Sequence, residues 1–348
     1  MSSVGGVLLT ARLAHGLTQE ELASAVGITQ AALSRYENAM REPEPDVLAR
    51  LAAALGVTVP FLLSSGKLHG ALGVEAHMRR ARTARPADWR RLEARLNMYR
   101  MHTRYICEQV LLRSEQLVPT FDSLDVTPEG AAWLVRMQWR MPVGPVQTLT
   151  QWVEAAGCLV IEEDFGGATR VGGLSQWIGA CPVILLSASA PTDRKRLTLA
   201  HELGHLCLHS VNVTEDMESQ ANAFAAEFLM PAVTIRPQLR NLSIGRLLDL
   251  KRDWGVSMQA LIERAREMKT ITDAERRSLY KSLSYRGWRT AEPVSDELLP
   301  EGARLPEEIG NTLASQGLSA VEIANLVGVA DPEAPHPFRP KGPRLRAV

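Results

Sequence analysis

Two histidines one helical turn apart most constrain what this chain of 348 residues can fold into. They are His201 and His205, in the stretch LTLAHELGHLCLHS at residues 197–210. Residues four apart lie on one face of an α-helix, so both imidazoles can bind the same zinc ion. Glu202 lies about 100° around the helix from His201, too far to be a ligand but able to reach a zinc-bound water. The pattern predicts zinc-assisted hydrolysis of a peptide bond with Glu202 as general base.

The residues around this motif favour a metal site, although a bare HExxH is short enough to arise by chance. The apolar flanks LTLA and LCLH suit a buried helix, and Gly204 would let a neighbouring segment approach closely. A metzincin is excluded, because that class needs a histidine at the position occupied by Val211. The alternative is a helix whose histidines are ordinary core or surface groups.

A third ligand is expected downstream of the two histidines. Glu218 has the best position, because Ala221, Asn222 and Ala225 make a small-residue face on the same helix that can press against the zinc helix. Asn222 would then orient a ligand from outside the metal shell. His209, one turn after His205, is expected to play a similar supporting or structural role, with direct ligation as the alternative. The carboxylates weighed for the third position are Glu215, Asp216, Glu218 and Glu227.

The N-terminal region has the pattern of two short helices joined by a turn. In GLTQEELASAVGITQAALSRYENAMREP, Thr18 and Thr29 are placed to cap helices that start at the next residue. Gly27 supplies the turn, and Ala23 is small enough for the second helix to cross closely. These features predict a helix-turn-helix.

The second of these helices would present its N-terminal side chains to DNA bases. Glutamine suits a bidentate contact with adenine, alanine and serine suit thymine methyl or phosphate contacts, and Gln19 at the preceding helix start suits a phosphate. The local charge is not basic, so the alternative is a domain that only docks a protein partner. The predicted DNA-binding residues are Gln19, Thr29, Gln30, Ala31, Ser34 and Arg35.

Composition limits the remaining function classes. The 39 Lys and Arg balance 39 Asp and Glu, so any nucleic-acid site must be local. The four cysteines lie far apart without a CxxC pair, which is typical of a reducing compartment. No apolar run approaches the roughly 18 residues of a membrane span. We therefore expect a cytoplasmic protein that does not contact a membrane.

The fold expected from these patterns is multidomain and mainly α, with a small α+β part. The boundaries are a helix-turn-helix domain at 1–65, an Arg-rich connector at 66–126, a zincin-like α+β domain with a helical extension at 127–300, and a C-terminal helix with a disordered tail at 301–348. Strands are predicted at Cys158–Ile161, Leu174–Ile178 and Pro182–Leu186.

The connector and the C-terminus each raise a question. A heptad-like stripe in the connector either packs on a neighbouring domain or forms a homodimer. GLSAVEIANLVGV at 317–329 repeats the cadence of GLTQEELASAVGI at 16–28, but the prolines that follow forbid a recognition helix, so a capped helix is expected. The stretch 335–348 is expected to be disordered. The stripe consists of Trp89, Leu92, Leu96, Tyr99, Thr103, Ile106 and Val110.

Two resemblances follow from these motifs. The N-terminal sixty residues resemble the Cro/CI-type helix-turn-helix of the XRE family. Residues 127–293 resemble the ImmA/IrrE family of zinc peptidases, through PVILLSASAPTDRKRLTLAHELGHLCLH, ExxANxFAxxFLMP, DWGVSMQALIERA and the GWRTAEP run. The second resemblance implies zinc, with His201, His205 and Glu218 as ligands and Glu202 as general base.

The combined resemblance implies a bacterial regulator that binds double-stranded DNA and cleaves a partner protein such as a repressor. It leaves open a one-component transcription factor whose peptidase-like domain senses a small-molecule effector without cleavage. A third possibility is that the helix-turn-helix only docks a protein, as an antitoxin-like module would.

Overall fold

The structure, a computed structural model, describes residues 4–64, 86–107, 114, 116–165, 172–210 and 215–340. It is mainly α-helical with one small sheet, which confirms the expected fold class. No helix in these ranges is both long and apolar enough to cross a membrane.

The N-terminal domain is a bundle of five helices around a shared apolar core. The predicted caps are present: Thr18 accepts a hydrogen bond from the Glu21 amide, and Thr29 accepts one from the Ala32 amide. Gly27, with φ 69°, ends the helix that Thr18 caps. Ala23 is 2% exposed at the crossing. The helices are α1 (Val4–Ala14), α2 (Gln19–Val26), α3 (Gln30–Glu37), α4 (Pro45–Ala54) and α5 (Val59–Leu63).

The connector helix α6 (Pro86–Cys107) is buried on two sides. Leu92 and Leu96, 2% and 0% exposed, pack with the sheet residues, while Ala94 and Met98 join the core of the N-terminal domain. This confirms packing of the stripe on a neighbouring domain. Leu92 and Leu96 are already covered by the same chain, so the homodimer stays a prediction and would need another surface. Residue 110 and the side chain of residue 89 lie outside the described part of the stripe.

The second half begins with two helices and a three-stranded sheet. The strand order is β1-β3-β2, with β1 parallel and β2 antiparallel to the central β3. The strands fall where the apolar segments predicted them, and the zinc-motif helix α9 follows β3 directly. The elements are α7 (Pro128–Gln138), α8 (Leu149–Ala155), β1 (Leu159–Glu163), β2 (Gly173–Ile178), β3 (Cys181–Ser187) and α9 (Thr192–Leu208).

Further helices surround α9 and close the core of this domain. Trp139 and Trp254 are at most 1% exposed within it, beside Phe224 and Phe228. Lys251 is fully buried and bonds the carboxylates of Asp193 and Glu292 at 2.7 and 2.8 Å. The helices are α10 (Met217–Leu229), α11 (Ala232–Ile235), the 3-10 turn Arg236–Leu239, α12 (Ile244–Trp254), α13 (Met258–Glu267) and α14 (Asp273–Tyr285).

The C-terminal segment forms α15 (Leu305–Ser315) and the capped helix α16 (Ala320–Leu326), without a following helix in residues 327–340. It packs on the sheet and also touches the N-terminal domain, where Val57 and Val329 form a β-bridge. The expected disorder from residue 335 is wrong for 335–340. Phe338 is 1% exposed, because Gly310 lets its backbone approach α15: a Cβ on Gly310 would lie 2.0 Å from the Phe338 carbonyl oxygen. Residues 341–348 lie outside the described chain.

Candidate metal centre and helix-turn-helix surface

Three potential metal ligands converge where α9 meets α10. His201, His205 and Glu218 each offer one ligand atom, and these atoms all lie within 4.8 Å of one another. The close helix contact depends on Gly204, since a Cβ there would lie 3.0 Å from the Phe224 ring. The structure therefore brings together the three residues that the sequence pattern singled out.

The spacing of these atoms fits a tetrahedral zinc ion. Ligands about 2.1 Å from such an ion lie about 3.4 Å from one another. The Nε2 atoms of His201 and His205 are 3.0 Å apart, and the Glu218 oxygens lie 3.6 and 3.3 Å from them. Burial opposes a positive charge on His201, but the contacts with Glu218 and the charge of Glu202 outweigh it and raise the pKa of His201. The donor set and its charge both suit a divalent cation.

The other carboxylates weighed for the third position lie elsewhere. Glu227 pairs with the Arg264 guanidinium and accepts a hydrogen bond from the Ala232 amide at 3.0 Å. Glu215 and Asp216 are exposed at the start of α10. Among these four carboxylates, only that of Glu218 belongs to the described ligand group.

A second layer of side chains contacts the ring nitrogens that face away from the cluster. His201 Nδ1 lies 3.0 Å from Asn222 Oδ1, as the sequence reasoning expected of Asn222. His205 Nδ1 lies 3.1 Å from His209 Nδ1, and His209 Nε2 lies 2.8 Å from Gln220 Oε1. Burial lowers the pKa of His209 to about 4, so its ring is neutral and can accept from one side and donate on the other.

Glu202 is buried beside the cluster with 2% of its surface exposed. The Ser175 hydroxyl, from β2, donates to Glu202 Oε2 at 2.7 Å. Trp177, two residues along the same strand, donates from its indole nitrogen to the Leu206 carbonyl at 2.9 Å and ties β2 to α9. Sequence reasoning missed Ser175 and Gln220, because neither stands at a motif position and only packing brings them to the site.

The N-terminal domain presents the predicted side chains around a hydrogen-bonded relay. Gln30 donates to Gln19 at 2.6 Å, Gln19 donates to Glu37 at 2.7 Å, and Glu37 is held by Arg12. The relay fixes Gln30 at the start of α3, where a recognition helix meets bases. Thr29, Gln30, Ala31 and Arg35 are exposed, and Gln19 and Ser34 are partly exposed.

Two family models match the chain in the order that the motifs predicted. Residues 8–62 match the helix-turn-helix family, and residues 153–266 match Peptidase_M78, the IrrE N-terminal-like domain. The first match contains all predicted DNA-binding residues, and the second contains the metal cluster and Glu202. The chain thus combines a helix-turn-helix DNA-binding domain with a peptidase-like domain, as in a transcription regulator. The second family is of zincin-like metallopeptidases, which suggests a metal.

Proposed function

We propose that this protein is a DNA-binding transcription regulator whose second domain is a zinc-dependent endopeptidase acting on a partner protein such as a repressor. The observation that carries the proposal is the convergence of His201, His205 and Glu218 within 4.8 Å, with the buried carboxylate of Glu202 on the same helix. A repressor as substrate would place the activity in the cytoplasm, which stays a prediction.

The residues of the site have distinct roles in this proposal. Zinc, held by His201, His205 and Glu218, would supply a lowered pKa for water and a polarised substrate carbonyl. Glu202 accepts the proton of the attacking water and delivers it to the leaving amide nitrogen as the carbon–nitrogen bond breaks. Ser175 holds Glu202 in position from β2.

The imidazole rings of His201 and His205 must be held in one orientation to bind zinc, and neighbouring side chains hold them. We propose that Asn222 accepts the Nδ1 hydrogen of His201, so that Nε2 presents its lone pair to the metal. His205 in turn donates from Nδ1 to His209, whose Nε2 hydrogen goes to Gln220. The distances of 3.0, 3.1 and 2.8 Å support this chain of contacts.

Strand β2 is the element best placed to hold a polypeptide substrate. It forms an edge of the described sheet and lies against α9, where a Cβ on Gly173 would come within 2.8 Å of Thr198 and 3.1 Å of Glu202. An extended peptide can add to such an edge through main-chain hydrogen bonds. A substrate bound there would run beside Glu202.

The DNA-binding role is assigned to the surface around Gln30. Gln30 would contact a base and Gln19 a phosphate, because the first helix of such a motif crosses the DNA backbone while the second enters the major groove. Gln30→Ala should weaken binding to a duplex selected by the wild-type protein by about 1 to 3 kcal/mol. Gln151→Ala, an exposed glutamine on α8, is the matched control. Equal affinity of Gln30→Ala and wild type would contradict base reading by Gln30.

A second function is favoured by the contacts between the two domains. Glu163, at the end of β1, pairs with Arg95 of α6 at 2.9 Å, and α6 also packs in the core of the DNA-binding domain. Such a connection suits a one-component transcription factor, in which a small effector bound by the peptidase-like domain changes DNA affinity without cleavage.

Profiling of new protein N-termini separates the two functions. Cells producing wild-type protein are compared with cells producing Glu202→Gln, which retains the proposed ligands, and with Glu215→Gln, an exposed control three residues before Glu218. Endopeptidase activity predicts N-termini that appear with wild type and Glu215→Gln but not with Glu202→Gln. Identical sets in all three strains, with equal zinc content in the proteins, would overturn the peptidase and favour effector sensing.

A further inference from the structure

The DNA-binding domain carries little free positive charge of its own. Residues 4–64 contain four arginines and no lysine against six carboxylates. Arg12 is buried against Glu37, and Arg41 lies 3.6 Å from Glu44. Binding to DNA phosphates is driven by cationic side chains that displace counterions. The other two arginines, Arg35 and Arg50, are exposed, so cations from elsewhere in the chain would add to a small number.

The connector helix α6 is fastened directly to this domain. Its residues Ala94, Met98 and Met101 are at most 7% exposed and belong to the same apolar core as α1. The helix carries five arginines within residues 86–107, outside the helix-turn-helix match at 8–62. Arg95 is engaged with Glu163 of the peptidase-like domain, so it points away from the DNA-binding domain.

Arg91 lies on the side of α6 that faces the DNA-binding domain, against the turn between α1 and α2. Its Nε and Cζ atoms are 3.3 and 3.4 Å from the position that a Cβ of Gly16 would take. Gly16 has φ +70° and stands three residues before Gln19, the first residue of α2. Arg91 is exposed, and none of the ion pairs of the described residues involves it.

We propose that Arg91 is a DNA-binding residue that contacts the phosphate backbone beside the start of α2, so that α6 extends the DNA-binding surface beyond the helix-turn-helix. The first helix of such a motif crosses the DNA backbone, which brings phosphates to the turn that Arg91 covers. A guanidinium donates two parallel hydrogen bonds to a phosphate. The contact adds affinity without base preference. This inference rests on the DNA binding of the proposed function.

The test is the salt dependence of DNA affinity for the full-length protein. Fluorescence anisotropy with a labelled duplex pool of random sequence gives the slope of the logarithm of affinity against the logarithm of salt concentration. Removal of one phosphate contact lowers the magnitude of this slope by about 0.9. We expect that loss for Arg91→Ala, and a slope close to wild type for Arg91→Lys, which keeps the charge.

Arg246→Ala is the matched control, because this exposed arginine lies on α12 in the peptidase-like domain and loses the same charge. Its slope should equal that of wild type. If the wild-type protein binds DNA and Arg91→Ala leaves the slope unchanged, the assignment of Arg91 is overturned but DNA binding itself is not. An equal drop in Arg91→Ala and Arg246→Ala would also overturn the assignment, since the effect would then follow net charge. Failure of wild type to bind any duplex would overturn DNA binding itself.

Discussion

Arg12 and Glu37 form a doubly hydrogen-bonded ion pair inside the DNA-binding domain. The guanidinium Nε and Nη2 atoms lie 2.6 and 2.9 Å from the two carboxylate oxygens, and both side chains are at most 8% exposed. The same carboxylate accepts from Gln19, which accepts from Gln30. One buried pair between α1 and α3 thus also holds Gln30, the residue proposed to contact a base.

Replacing Glu37 by Gln should open this domain locally. The change leaves the buried guanidinium of Arg12 without its counter-ion, which costs about 3 kcal/mol. Native-state amide hydrogen exchange of α1 and α3 measures the loss as a lower free energy of opening. Arg41→Ala is the control, because its pair with Glu44 is exposed and contributes little. Protection of α1 that is equal in both variants would contradict a stabilising role for the Arg12 pair.

Metal content should follow the three converging side chains. We expect about one zinc per chain in wild type, and a loss of most of it in His205→Ala and in Glu218→Ala, because two ligands hold zinc poorly. Elemental mass spectrometry of protein purified with zinc present measures the ratio. Glu215→Ala should keep the metal, since Glu215 is exposed and lies outside the ligand group. Zinc retained in Glu218→Ala would remove Glu218 from the ligand set.

Gly328 should be intolerant of a side chain, because the C-terminal segment meets the DNA-binding domain there. A Cβ on Gly328 would lie 2.2 Å from the Phe61 ring, and the backbone has φ +78°. Gly287 has φ +73° with nothing within 4 Å of the same position, so Gly287→Ala carries the backbone strain alone. We expect Gly328→Ala to melt at a lower temperature than Gly287→Ala by circular dichroism. Equal melting temperatures would mean that the Phe61 contact adjusts without cost.

Acid should loosen the same junction through His102. Its ring stacks on Phe61 with centroids 4.3 Å apart and its Nδ1 contacts the Val327 carbonyl. Burial lowers the pKa of His102 from 6.5 to about 4. The unfolded chain therefore takes up a proton before the folded one, and the stabilisation present above pH 6.5 is lost as the pH falls towards 4.

Melting temperatures of wild type and His102→Gln at pH 7 and pH 5 measure this effect. We expect a smaller decrease between the two pH values in His102→Gln, because glutamine does not titrate. His209 and His336, whose pKa values are also lowered, are present in both proteins, so the difference between the two decreases reports the replacement of His102. The same decrease in both proteins would show that His102 does not cause the acid sensitivity.

Local spacing was enough to predict both motifs from the sequence. The caps Thr18 and Thr29 and the turn at Gly27 depend on neighbours within four residues, so they appear as predicted. His201 and His205 share a face because of helix geometry alone. The family matches at 8–62 and 153–266 confirm the order of the two domains.

Tertiary packing decided what the motifs meet. Because α10 packs on α9 at Gly204, the carboxylate of Glu218 joins the two histidines while that of Glu227, on the same helix, does not. The same packing places Gln220 next to His209. Strand β2 brings Ser175 to Glu202 from 27 positions away in the chain. These partners carry no local signal, because helix periodicity determines a face but not the element that will cover it.

The same reason explains which of the two interpretations of the stripe the fold supports, and why the expected disorder of the C-terminal stretch failed. The stripe at Leu92 and Leu96 has the spacing of a dimer seam, yet the sheet of the same chain covers it. The stretch at Phe338 has the proline-rich composition of a disordered tail, yet a groove at Gly310 buries its one aromatic ring. The sequence by itself determined which surfaces had to be buried or bound. Only the tertiary structure decided which element covers each of them, because apolar burial depends on area and not on the identity of the partner.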